Sequence, residues 1–118
     1  NRNHAIKGAD TFIYLVNDGW YTTLPEPRQH AKQSIFRAIE NRNTVIRCAN
    51  TGLSSVIDPS GIIREQTTLN TEQIITTFIR KSNTITFYTL YGNVFAYLVL
   101  ITLGIIFIMS IYKDGNKS

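Results

Sequence analysis

TFIYLVNDGWYTTLPEPRQHAKQSIFRAIENRNTVIRCA, residues 11 to 49, is the stretch that decides the fold class. It opens with Thr11 to Val16 (TFIYLV), a short apolar run rich in β-formers that predicts a buried strand. Asn17-Asp18-Gly19 ends the run with turn-forming residues. A loop with Pro25 and Pro27 follows. Gln29 to Asn41 then predicts a helix, with Ala31, Ile35, Ala38 and Ile39 on one face and Lys32, Gln33 and Glu40 elsewhere. Thr44 to Ala49 (TVIRCA) predicts a second strand. Strand, helix and strand make a right-handed crossover with two parallel strands.

Working outward, Thr51-Gly52 reads as a turn and Ser54 to Ile57 as a third strand. Asp58-Pro59-Ser60-Gly61 has proline at the second turn position and glycine at the fourth, and Ile62 to Arg64 continues as the hairpin partner. Ile74 to Ile79 predicts a last strand. This is part of a mixed α/β sheet. One amphipathic helix covers one face only, whereas a parallel sheet needs both faces covered, so the missing cover is expected from more chain or another subunit. The first residue is Asn1 and the only methionine is Met109, which makes more chain before Asn1 the expectation.

Past residue 82 the composition changes. From Ser82 to Tyr112 there is no Asp, Glu, Lys or Arg. Val94 to Tyr112 reads VFAYLVLITLGIIFIMSIY, interrupted only by Thr102, Gly104 and Ser110. Such a helix spans roughly 28 Å, close to the thickness of a bilayer's hydrocarbon core. It is apolar all round, unlike a surface helix. Tyr91, Tyr97 and Tyr112 fit interfacial anchors, and Lys113 and Lys117 beyond the span predict a cytoplasmic C-terminus, against a competing pair, Arg80 and Lys81, on the other flank. The expected organisation is therefore residues 1–90 outside the cytoplasm, 91–112 across the membrane, and 113–118 as a cytoplasmic tail.

Composition removes several classes. The 118 residues leave room for one domain at most. A single cysteine, Cys48, excludes a disulfide scaffold. Charged residues make up only 17%, and the net charge of +4 is spread thinly, so a nucleic-acid partner is not expected. His4 and His30 are far apart in sequence, no CxxC is present and no phosphate-cradling glycine loop occurs, so no metal or cofactor is expected.

Four motifs arrive in order: Asn17-Asp18-Gly19-Trp20 after the first strand, Arg37-Ala38-Ile39-Glu40 on the helix, Arg47-Cys48-Ala49-Asn50-Thr51-Gly52 leaving the second strand, and the Asp58–Gly61 hairpin. Tyr88-x-x-x-Gly92-Asn93 and a membrane span follow. Together they resemble the C-terminal part of the bacterial apolipoprotein N-acyltransferases, membrane enzymes with a nitrilase-like domain of the carbon-nitrogen hydrolase superfamily. The resemblance covers nearly the whole chain. It implies a four-layer α/β sandwich, of which this chain is a C-terminal fragment followed by one transmembrane helix. It also implies residence in the bacterial inner membrane. The implied reaction moves an acyl chain from a phospholipid to a cysteine thiol, and then to the α-amine of a lipoprotein's N-terminal diacylglyceryl-cysteine. A thioester splits one hard step into two easier ones.

The family's Glu general base, Lys and nucleophilic Cys lie before the segment matching Thr11 to Val16, so the resemblance puts no catalytic residue in this chain. Cys48, inside an apolar strand, reads as a small buried hydrophobe instead. Asn17, Asp18, Trp20 and Tyr21 are the candidate substrate-binding residues, because they leave the end of a strand where crevices open in α/β sheets. Asn17 and Asp18 also suit turn shaping. Trp20 and Tyr21 suit either contact with acyl chains or closure over the sheet. His30 reads as a helix-start hydrogen-bonding residue or a base. Arg37 and Glu40 are spaced to pair. Two other functions fit the fragment: a membrane-tethered nitrilase-like amidase, and a non-catalytic remnant.

Overall fold

The computed structural model describes residues 1–21, 25–79, 81–82 and 84–115. Arg80 and Lys117, which entered the orientation argument, lie outside the described residues, as do residues 22–24 of the proline-containing loop and the tail residues 116 and 118.

Four strands form one sheet in the order β1 (Thr11–Val16), β2 (Thr44–Ala49), β3 (Ser55–Ile57) and β4 (Ile63–Gln66). β1 and β2 are parallel, with Thr11 opposite Thr44 and Val16 opposite Ala49, while the other pairs are antiparallel. The first two strands have the predicted limits. The hairpin strands lie slightly later than the apolar pattern suggested, because the turn closes through Asp58: its N–H donates to the Ile62 carbonyl at 2.9 Å, and the Gly61 N–H donates to the Asp58 carbonyl at 2.9 Å.

Three helices complete the domain end of the chain: α1 (Arg2–Ile6), α2 (Pro25–Asn41) and α3 (Phe87–Tyr91). α2 begins four residues before the predicted start. Pro25 and Pro27 sit in its first turn, where backbone N–H groups have no helical partner and proline's missing donor costs nothing. The helix packs on one face of the sheet. Pro27, Ala31, Ser34, Ala38 and Asn41 are its buried positions, and Phe12, Ala38, Val45 and Ile57 form the core, with Ile35 packed against them. Each fully buried large apolar side chain contributes about 1.5–3 kcal/mol. Ile39 was expected on the core face but stays partly exposed. It covers the hairpin instead: a Cβ at Gly61 would lie 2.6 Å from Ile39 Cδ1, and Gly61 has φ +88.

The opposite face is uncovered along β1 and β2. Side chains alternate along a strand, so Ile13 and Leu15 project away from α2 and are 65% and 84% exposed. Cys48 stands opposite Leu15 and is also exposed. This corrects the expectation of a buried thiol: the strand is apolar, but Arg47 takes the covered face and Cys48 the other. A second correction concerns Ile74 to Ile79. These residues form no strand, and Ile74 and Phe78 are fully exposed. Their β-forming composition meets no partner, since β4 pairs only with β3 among the described residues.

α4 (Val94–Gly115) follows α3 after Gly92 and Asn93. Val94–Lys113 is long and apolar enough to cross a membrane, and none of it is buried against the rest of the chain. A core helix would be.

Candidate substrate loop and its buried clamp

The loop that leaves β1 is anchored from below. Asp18 is 1% exposed and Arg47 is 1% exposed. Arg47 Nη2 donates to Asp18 Oδ2 at 2.7 Å, and Nη1 donates to the Leu53 carbonyl at 2.5 Å. The parallel register puts Arg47 opposite Tyr14, on the face that α2 covers, from which its guanidinium reaches the loop. The other Asp18 oxygen, Oδ1, lies 2.9 Å from His30 Nδ1 on the second turn of α2. A carboxylate only accepts, so Nδ1 is placed to donate to it. Nδ1 also lies 3.3 Å from Arg47 Nη2. Two motifs far apart in sequence therefore meet in one buried ion pair, with the helix supplying a third member.

Asn17 and Asn50 complete the frame. The Asp18 N–H donates to Asn50 Oδ1 at 2.9 Å, Asn50 Nδ2 donates to Asn17 Oδ1 at 2.8 Å, and the Gly19 N–H donates to the same Asn17 oxygen at 3.0 Å. Gly52 makes room for the pair: a Cβ there would fall 1.8 Å from Asp18 Oδ2. No other residue type fits unless Asp18 moves.

Above this frame the aromatic residues are presented outward. Trp20 is 80% exposed and Tyr21 is 37% exposed. The Tyr21 N–H donates to the Asp18 carbonyl at 3.1 Å, closing the turn, and its ring meets His30 edge-on at 5.6 Å. A cleft of about 300 Å³ opens beside β1, lined by Tyr14, Val16, His30, Gln33, Arg37 and Arg47. Burial pushes the Tyr14 phenol above its ordinary range, against the opposing pull of Arg37. Arg37 is otherwise paired with Glu40 at 2.9 Å, as the helical spacing suggested.

Of the four candidate residues, the fold brings all into one turn but divides their positions. Asn17 and Asp18 lie within the frame, and Trp20 and Tyr21 stand on top of it. His30 and Arg47 are the members that the candidate set omitted. The signal for Arg47 was available, since a lone arginine in an apolar strand must find a buried partner. Among the described residues no group of three or more His, Cys, Asp or Glu is placed to hold a metal ion.

Residues 2–87 match the family model for carbon-nitrogen hydrolases. The chain belongs to the carbon-nitrogen hydrolase family. Its domain is nitrilase-like, a mixed α/β sheet followed by an apolar C-terminal helix. Among curated relatives it is similar to the apolipoprotein N-acyltransferase of Geobacter metallireducens, 37% identical over 82% of this chain and 19% of the relative. It is similar to the protein of that name from Rickettsia typhi, 40% identical over 88% of this chain and 20% of the relative. The one from Chlorobaculum tepidum is 34% identical over 85% and 19%. The chain thus spans about a fifth of the length of the curated relatives it matches.

Proposed function

We propose that these residues are the C-terminal part of a membrane enzyme that N-acylates lipoproteins. The observation that carries this reading is the reach of the similarity. A match covering 88% of a 118-residue chain necessarily runs well into α4, beyond the residues that the carbon-nitrogen hydrolase model covers. A hydrolase domain continuous with an apolar helix, in relatives named as acyltransferases, favours acyl transfer over amide hydrolysis.

In this reading a cysteine thiolate, outside these residues, attacks the ester carbonyl of a phospholipid. The thioester forms and the lysophospholipid leaves. The α-amine of a diacylglyceryl-cysteine then attacks the thioester carbonyl, giving the amide and restoring the thiol. Residues 1–90 supply one edge of the nitrilase-like domain, 91–112 cross the bacterial inner membrane, and 113–118 lie in the cytoplasm, with the domain on the outer side. Asn17 and Asp18 hold the loop. Trp20 and Tyr21 offer apolar, amphipathic surface to the substrate's acyl chains. The open face bearing Ile13, Leu15 and Cys48 is where the rest of the sandwich packs.

The test is direct. The complete protein, given phospholipid and a diacylglyceryl-cysteine peptide, should add one fatty acyl group to the peptide amine, read by mass spectrometry. Residues 1–118 alone should add none, and Cys48→Ser in the complete protein should retain most activity. Amide hydrolysis without acyl gain, or a thioester on Cys48, would overturn the proposal.

A further inference from the structure

The two short helices at the base of α4 leave an apolar surface that the other described residues do not cover. α3 lies in the stretch without Asp, Glu, Lys or Arg that begins at Ser82. Its Phe87, Leu90 and Tyr91, spaced i, i+3 and i+4, are all more than half exposed. Such spacing puts them on one helical face. The rings of Phe87 and Tyr91 pack together at 4.8 Å between centroids. Ile6 of neighbouring α1 is also half exposed.

The other side of α3 is fastened to the domain. Thr89 is buried. The Thr86 hydroxyl caps the helix by accepting from the Thr89 N–H at 3.0 Å, and itself donates to the Glu40 carbonyl at the end of α2. Arg2 of α1 donates from Nε to the Thr89 carbonyl at 2.8 Å and from Nη2 to the Leu90 carbonyl at 2.5 Å, satisfying acceptors that the helix end leaves free. Gly92, at φ +72, then turns the chain into α4. Only Gly92 and Asn93 separate the two helices, so Tyr91 lies within about 11 Å of the start of α4 along the chain.

We infer that the α1–α3 pair is a lipid-interface platform: Phe87, Leu90 and Tyr91 seat in the headgroup–acyl boundary, with Arg2 holding α1 to α3 and Thr86 holding α3 to the end of α2. The occupant follows from continuity. If α4 enters the bilayer at Val94, a short helix tethered by two residues stands at the interface, where aromatic side chains are favoured and uncharged apolar faces are covered by lipid. This inference rests on α4 spanning the membrane, which the experiment checks separately.

The photoreactive residue p-benzoylphenylalanine is placed singly at Phe87, Leu90, Phe95 or Phe36 of the complete protein, in nanodiscs of phosphatidylethanolamine and phosphatidylglycerol. Phe95 reports α4, and Phe36 is an exposed ring on α2. After illumination, lipid adducts should form at Phe87, Leu90 and Phe95, each about tenfold or more above Phe36. Adducts at Phe95 without any at Phe87 and Leu90 would overturn the platform and leave α4's membrane assignment standing. Adducts at none of the four would overturn both. Equal labelling at all four, or protein cross-links in place of lipid at Phe87 and Leu90, would likewise overturn the platform.

Discussion

Arg47 occupies the covered face of the sheet with its charge spent on Asp18 and the Leu53 carbonyl. Taking away one partner of such a buried pair strands the other, at a cost of about 3–5 kcal/mol. Arg47→Met in the complete protein should therefore lower stability by about that amount, read as urea or thermal unfolding. Adding Asp18→Asn should recover part of the loss, because no bare carboxylate then remains. A single variant as stable as the parent would contradict the clamp. Asp58 gives a second residue-scale test. Burial works to raise its carboxyl, but the Ser60 hydroxyl and N–H, the Ile62 N–H and Arg64 outweigh that effect and bring it from the ordinary 3.8 to about 2. The folded carboxyl thus holds its proton less tightly than the unfolded one. Its stabilisation is present in full above about pH 4 and is lost as pH falls through about 2. Asp58→Asn should lower the melting temperature at pH 7, with the gap closing toward pH 2. A gap that widens with acid would have the wrong sign. Arg47 also shows how far residue patterns reach. Its burial follows from an arginine in an apolar strand, but its partner lies 29 positions away. Pairing at that range is set by strand register, which local pattern does not contain.

At the level of elements, α2 ends in a Schellman arrangement. The Asn43 N–H donates to the Ala38 carbonyl at 3.2 Å and the Arg42 N–H to the Ile39 carbonyl at 3.4 Å. Arg42 carries the left-handed φ of 53 that this ending requires, and a side chain there costs energy that glycine avoids. Arg42→Gly is expected to raise stability by about 0.5–1 kcal/mol despite losing a 3.4 Å bond to the Pro59 carbonyl. A destabilised variant would mean that the side-chain bond matters more than the backbone strain. The elements with legible limits were β1 and β2, whose β-branched runs end abruptly at Asn-Asp-Gly and at Asn50. The start of α2 was obscured by prolines that belong to its first turn. α1 and α3, at five residues each, are too short for periodicity to register and depend on contacts with each other. Ile74 to Ile79 has strand composition without a strand, because a ladder needs a neighbour as well as a propensity.

Across the whole molecule, one long packed helix, two short helices, one half-covered sheet and one bare apolar helix are joined in a chain that spans a fifth of its relatives' length. The long apolar helix was legible because nothing in the composition of Val94 to Tyr112 competes with that reading. Cys48 is exposed in this chain because burial depends on what faces each side of a sheet, and its side is open here. For the candidate loop, its frame of Asp18, Arg47, Asn50 and Gly52 is separable from what it presents. Trp20, at 80% exposed, contributes little to the packing of this chain, and the proposed function assigns it to contact with the acyl chain. The measurement that bears most directly on this is the effect of Trp20→Ala in the complete protein on acyl transfer and on melting temperature together. The expected result is at least about a tenfold loss of transfer, equivalent to about 1.4 kcal/mol of transition-state stabilisation, with melting unchanged. Retained transfer, or a parallel fall in activity and melting temperature, would contradict the account.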